Sequence, residues 1–353
     1  MNKLALFLVF ILLSSMILSG CTEDGGGGDK TVTVTDMVGR EVEIPKDIDE
    51  IVGIEAGALR LLVYMQAEDM VVGVEDFEKN DDLRPYIMAH PELQGKTSIG
   101  PQHGGDAELI TAAQPDVIFW TYAEEGEADD LQKKTNIPVI VLRYGDIDNN
   151  RDTFYEALEL IGEVLGKDER ADSIIGFFDD TIEDLNNRTK DISPEDKPPC
   201  YVGGIGYRGA HGLSSTEPDY APFQFMNADN VAGGLETEHA FVDPEEIIEW
   251  DPEILFVDEG GFNLVMDDLN DSVYNEIEAV ENGDVYAVLP YNYYTANYGT
   301  IMANSYYIGG ILYPEKFSDV NTEEKADEIY EFLVGEKVYD QMESSFGGYK
   351  KIG

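Results

Sequence analysis

His103, His211 and His239, together with Arg208 and a group of tyrosines, are the residues whose side chains could recognise a charged or metal-bearing ligand. Imidazole and phenolate can both ligate iron, and the same rings can stack on flat macrocycles. The phenols are Tyr122 and those of the run Tyr291-Asn292-Tyr293-Tyr294, in which Tyr293 and Tyr294 form either a stacking wall or a packing contact. Arg208 lies in a Gly-rich stretch, placed to hold an anion such as a chelator carboxylate in bidentate fashion; the alternative is a salt bridge to a neighbouring acid. One further reading makes the three histidines direct ligands of a free metal ion, and the plainest leaves each as an exposed loop residue.

Other chemistries fit less well. Gly204-Ile205-Gly206-Tyr207-Arg208-Gly209 matches the dinucleotide pattern GxGxxG, with Asp229 near the spacing of a ribose-binding acid. Residues 210 to 218 do not read as a helix opening at the third Gly, which that pattern requires. Asp146, Asp148 and Asn150 resemble the start of a calcium loop, but Arg151 replaces the required Gly and Ala157 the terminal Glu, leaving a helix N-cap cluster. A surface-anchored hydrolase could use His211 with Ser214 or Ser215, yet no GxSxG elbow surrounds either serine. We therefore expect a binding protein, with no catalytic residue and no resident metal or cofactor, and keep the hydrolase and the free-metal carrier as alternatives.

Elements must bring these residues together. EIVGI at 50–54, MVVGV at 70–74, VIFW at 117–120 and PVIVL at 138–142 are continuous apolar runs alternating with helical patterns, which predicts a parallel sheet covered on both faces. CYVGGI at 200–205, EILFV at 253–257 and DVYAVL at 284–289 repeat the arrangement, with a helix expected around Val273 to Val280. TVTVTDMVGREVEIP at 31–45 alternates around a turn and predicts a hairpin. Between Asp152 and Asn187 runs the longest helical pattern, with Gly166 ending a first helix and Asp168 capping a second. It is either a stiff strut between two lobes or a crossover helix within one large domain. The fold class is α/β, with two Rossmann-like lobes spanning 31–150 and 191–353 and a strut at 151–190. In open α/β sheets ligands sit beyond the carboxyl ends of strands, and the loops there hold Glu55, Gln102, His103, Thr121, Tyr122, Gly206 to His211, His239, Gly260 and the 291–294 run.

The chain has 353 residues, enough for two ordinary domains. Residues 1–20 have the layout of a secretory signal, and LSGC at 18–21 resembles the lipobox of bacterial and archaeal lipoproteins, in which the signal is cut before a lipidated Cys, here Cys21. An uncleaved transmembrane helix is the alternative, and either one tethers the protein to the outer face of the cell membrane. Residues 21–30 read as a flexible spacer. With Cys21 lipidated, Cys200 has no disulfide partner, and Cys-rich metal sites are excluded by count. Lys and Arg number 23 against 72 Asp and Glu, a formal charge of −49, which makes nucleic acid a poor partner. Acid spread along the whole chain beside 43% hydrophobic residues points to a folded, salt-adapted surface rather than a disordered tail.

Five stretches in this order resemble the cobalamin- and iron-chelate-binding lipoproteins of ABC importers, the helical-backbone class of periplasmic binding proteins. They are TDMVGREVEIP, the block at 106–118, LIGEVLGKDERAD at 160–172, VDPEEIIEWDPEILFV and VYNEIEAVENGDVYAV at 273–288. The resemblance covers the mature chain. It implies two lobes joined by a long helix, an iron chelate or corrinoid held between them, and a membrane permease with its ATPase as partner. It also implies that Glu108 in AELI and Glu245 in DPEEI dock to basic residues of that permease. A carboxylate in the first turn of a helix is favoured by the helix dipole, although such a residue can equally serve only its own helix. Family members usually carry Trp in the cleft loops, where this chain has Thr121, Tyr122 and His239.

Overall fold

The computed structural model describes residues 30–80 and 83–352. The signal at 1–20, the lipidation site Cys21 and all of the 21–30 spacer except Lys30 lie outside the described residues. The alternating segment forms an antiparallel hairpin of β1 (Thr31–Thr35) and β2 (Glu41–Pro45), with Val34, Val42 and Ile44 turned inward. The apolar runs form β3 (Ile51–Ile54), β4 (Val71–Val74), β5 (Thr97–Ser98), β6 (Val117–Thr121) and β7 (Val139–Leu142). They assemble in the order β5-β4-β3-β6-β7 with every pairing parallel. β3 and β7 are buried throughout, as strands covered on both faces must be. Helices α1 (Ala58–Tyr64), α2 (Pro85–Ala89), α3 (Ala107–Ala113) and α4 (Glu125–Thr135) intervene.

The central helical stretch is two helices, α5 (Arg151–Leu165) and α6 (Asp168–Thr189). Gly166 ends α5 in the left-handed conformation as expected. Asp168 does not cap α6: it is the first helical residue, Lys167 holds the N-cap position without a side-chain bond, and the acid acts on the helix dipole instead. The expected strut thus reduces to α6, whose 22 residues extend about 33 Å at 1.5 Å per residue. An arginine fastens each end. Arg170 donates to Tyr64 O (2.8 Å) beside the first sheet and to Phe332 O (2.6 Å), while Arg188 donates to Lys316 O (2.9 Å) and Asp319.

The second half contains β8 (Pro199–Gly203), β9 (Ser215–Thr216), β10 (Asp229–Asn230), β11 (Ala240–Phe241), β12 (Ile254–Asp258), β13 (Val285–Val288) and β14 (Lys350–Lys351). A sheet of order β10-β8-β12-β13-β14 is parallel except at β14, and β9 pairs with β11 as a separate antiparallel ribbon. Its helices are α7 (Ala221–Phe225), α8 (Pro244–Trp250), α9 (Phe262–Leu269), α10 (Glu278–Asn282), α11 (Tyr298–Leu312), α12 (Thr322–Val334) and α13 (Tyr339–Phe346). The single helix expected over 273–280 is instead a 3-10 turn at Ser272–Glu276 followed by α10, because Ile277 takes an extended conformation between them. The two halves share a local unit: α3 and α8 both end in a left-handed residue, Gln114 and Asp251, followed by a proline and then β6 or β12. α12 returns to pack on α1 and α2, so one continuous apolar core runs from Val34 to Met342. No helix among the described residues is long and apolar enough to cross a membrane.

Candidate functional site

Loops at the carboxyl ends of both parallel sheets face each other across a cleft of about 600 Å³. Ala56, Leu83 and His103 line it from the first sheet's side, and Arg208, Asp258 to Gly260, and Asn292 to Thr295 from the second's. Six non-glycine residues in these loops have positive φ: Glu55 (75°), His103 (67°), Tyr122 (62°), Arg208 (54°), Tyr294 (52°) and Thr295 (62°). The other five such residues, Gln66, Gln114, Asn136, Asn227 and Asp251, end helices, where the left-handed conformation is ordinary. In a loop it costs about 1 kcal/mol or more per residue and persists only where surrounding contacts dictate it. Sequence placed five of the six in strand-end loops, and the structure shows their backbones under constraint there.

The structure brings His103, Arg208, Tyr293 and Tyr294 to this one cleft. His103 bonds through Nδ1 to the Glu55 carboxylate. Tyr294 donates to Glu75 Oε2 (2.7 Å) and lies 4.2 Å, centroid to centroid, from Phe77. Arg208 rests its guanidinium 5.6 Å from the centre of the Tyr207 ring and makes no ion pair among the described residues. Among the described residues the salt bridge weighed against its ligand role is not formed. Tyr122 stands apart, 47% exposed, its hydroxyl 3.1 Å from Thr295 Oγ1.

His211 and His239 meet each other elsewhere, in an aromatic cluster built on the β9–β11 ribbon. His239 stacks on Tyr207 at 4.3 Å, and both histidines meet Phe241 edge-on at 4.8 Å. Burial and the neighbouring His211 push the His239 imidazole down, away from the charged form. The expected pairing of His211 with a serine is not found: His211 Nε2 bonds Tyr207 O (2.7 Å), and the contact to a serine is between His239 Nε2 and Ser215 Oγ (2.9 Å). Ser215 is fully buried and gives its own proton to Ile205 O (2.6 Å), so His239 must donate to it and cannot act as its base. Among the described residues, no three His, Cys, Asp or Glu side chains are grouped to hold a metal ion. His103, His211 and His239 therefore do not form one direct ligand set.

Carboxyls line the cleft or lie beneath it, and burial governs them. Glu75, 1% exposed, has its pKa raised chiefly by desolvation; it accepts from Tyr294, Gly104 N (3.0 Å) and Glu55 N (3.1 Å). Desolvation pushes Glu259 up to about 7 against the pull of Lys350, and Asp258 well above the usual carboxylate range. Asp258 accepts from Gly260 N (2.8 Å) through Oδ1.

Sequence reasoning missed Arg60, Glu75 and Asp258. A fully buried arginine inside the apolar helix ALRLLVY carried a signal, since an unneeded charge is not kept in such a run. Glu75 and Asp258 follow directly on β4 and end β12, the positions that nominated their neighbours. Glu108 and Glu245 each occupy the second position of a seven-residue helix, α3 and α8, and both are exposed.

Residues 51–291 match the family profile described as periplasmic binding protein. The molybdate-binding protein MolA of Haemophilus influenzae is 25% identical over 352 residues, covering 93% of this chain and 96% of MolA. The uncharacterised ABC transporter substrate-binding lipoprotein YvrC of Bacillus subtilis is 22% identical over 302 residues, covering 82% of this chain and 91% of YvrC. A periplasmic solute-binding protein from Veillonella parvula shares the fold with a TM-score of 0.70 at 19% identity, covering 90% of this chain and 96% of that one.

Proposed function

This chain belongs to the periplasmic binding protein family, and from that premise we propose that it is the extracytoplasmic solute-binding component of an ABC importer, tethered by a lipid on Cys21 and taking an anionic iron chelate. The observation that carries the ligand class is Arg208, a guanidinium on the cleft that makes no ion pair among the described residues of a chain with 72 acidic residues. A fork of donors left free among so many carboxylates is suited to a planar anionic group. The cleft volume of about 600 Å³ falls within the range for drug-sized molecules, which supports a small chelate over the larger corrinoid. Tyr293 and His103 line the same cleft as Arg208. Delivery follows through Glu108 and Glu245 to a permease with its ATPase, and the lipoprotein relative supports the anchor.

A molybdate-like oxyanion is the second reading, favoured by the relative MolA. Calorimetric titration with ferric citrate, cyanocobalamin and sodium molybdate separates the possibilities. The proposal expects one ferric citrate per chain and an affinity loss of roughly 10- to 100-fold in Arg208→Ala, the worth of a charge-assisted hydrogen bond. Binding of molybdate alone moves the assignment to the oxyanion. Turnover of esters that is abolished by Ser215→Ala would return the protein to the hydrolases.

A further inference from the structure

The loop carrying Tyr293 and Tyr294 leaves the second sheet after β13, yet its backbone is held by the first lobe. Arg60, on α1 and fully buried, donates from Nη1 to Ala296 O (2.9 Å) and the Tyr144 hydroxyl. From Nη2 it reaches Tyr293 O (3.1 Å), Tyr294 O (3.1 Å) and Thr295 O (3.4 Å). Four consecutive carbonyls thus converge on one guanidinium from a segment more than 230 residues away. The Tyr86 and Tyr144 rings lie 5.1 and 5.7 Å from its centre. Tyr144 adds a bond of its own to Ala296 O (2.7 Å), and Gly57 leaves room for its ring, because a Cβ there would lie 2.2 Å from Tyr144 Cε2. Glu75 supplies the second fastening. One carboxylate accepts from Tyr294, from Gly104 on the His103 loop and from Glu55 on the loop after β3.

We propose that Arg60 and Glu75 are positioning residues for ligand binding. They act through Tyr293, Tyr294 and His103, and hold the tyrosine side of the cleft assembled before any ligand arrives. The inference rests on the reading that ligand occupies this cleft. Burying an arginine without a carboxylate partner is costly, and a well-packed apolar residue serves stability alone at least as well. What the charge adds is a fork that fixes several carbonyls in one geometry, which an apolar side chain cannot do. A wall held ready avoids the cost of ordering a loop at the moment of binding. The effect belongs on the association rate, since only molecules with the wall in place are competent to bind.

Hydrogen exchange of the 291–297 segment in ligand-free, full-length protein tests the fastening without any ligand. The wild-type segment is expected to exchange as slowly as β13. Tyr294→Phe, which leaves the core packing in place, should speed its exchange by up to about tenfold, the worth of one hydrogen bond, and Arg60→Lys more, with β3 and β13 unaffected. Stopped-flow binding of ferric citrate and of molybdate then reads the function. Both variants should slow association by about the same factor and change dissociation less. A wild-type segment exchanging like an exposed loop, or variants that alter only global stability while association is unchanged, overturns the proposal. If neither probe binds wild-type protein, the assignment of the cleft fails, whereas the exchange data still decide whether the fastening exists.

Discussion

Glu217 lies beside Tyr291 with most of its surroundings dry, and desolvation, reinforced by Glu238, pushes its carboxyl up to about 7 while Tyr291 pulls it down. A folded pKa above the unfolded value means that the native state binds more protons between about pH 4.5 and 7. This contribution to stability is full below the unfolded pKa and is lost as pH rises through 7. Urea unfolding should show wild type losing stability from pH 5 to pH 8, with Glu217→Gln losing less by on the order of 2 kcal/mol. Equal losses in the two proteins would remove Glu217 from the account. At this scale sequence distinguished poorly between partners. Arg208 could be read because a Gly-rich stretch after a strand marks a cleft loop, whereas the pairing of Ser215 with His239 depends on a ribbon of two-residue strands. Strands that short leave no periodicity to read.

α3 and α8 carry in matching settings the two carboxylates that the resemblance nominates. Each helix has an acid at its second position, a left-handed end, a proline, and a strand inside a parallel sheet. The repeated unit fixes the direction of its first turn relative to its own sheet, so Glu108 and Glu245 are presented in the same way by both halves. Asp106 strengthens the first of them by accepting from Glu108 N (2.9 Å) and Leu109 N (3.0 Å). Reversing both charges, Glu108→Arg with Glu245→Arg, should leave ferric citrate affinity within about twofold and reduce uptake through the cognate permease in proteoliposomes by about tenfold or more. A matching fall in affinity would assign these acids to the cleft. The main strands were legible because they are continuous apolar runs between helical patterns. The break between α5 and α6 was half legible: Gly166 announces a helix end, but the N-cap at Lys167 has no side-chain bond to betray it. The 3-10 turn before α10 imitates a helical pattern over too few residues for its period to differ from an α-helix.

Over the whole molecule, the two parallel sheets share one apolar core and carry a surface of −49 formal charge. The inner organisation was readable from runs and turns, and the surface from composition, but the way the lobes are fastened was not. It depends on Arg60 and four carbonyls, and backbone acceptors leave no mark on a sequence. The same charge makes a physical demand. Ion pairs such as Arg188 with Asp184 and Asp319 use a few carboxylates, while most of the 72 acids have no cation to meet among only 23. At about 0.1 M salt the screening length is roughly 10 Å, comparable to the spacing of neighbouring surface groups, and at 1 M it falls to about 3 Å. Repulsion that opposes the compact state at low salt is then mostly removed. Thermal unfolding at pH 7.5 should therefore shift upward by about 5 °C or more between 0.1 and 1 M NaCl, and equally in KCl, because screening does not distinguish the cations. Near pH 4, where many of the carboxylates are protonated, the same salt step should move Tm far less. A shift of equal size at both pH values would trace the effect to burial of apolar surface, and the acidic exterior would then have no part in it.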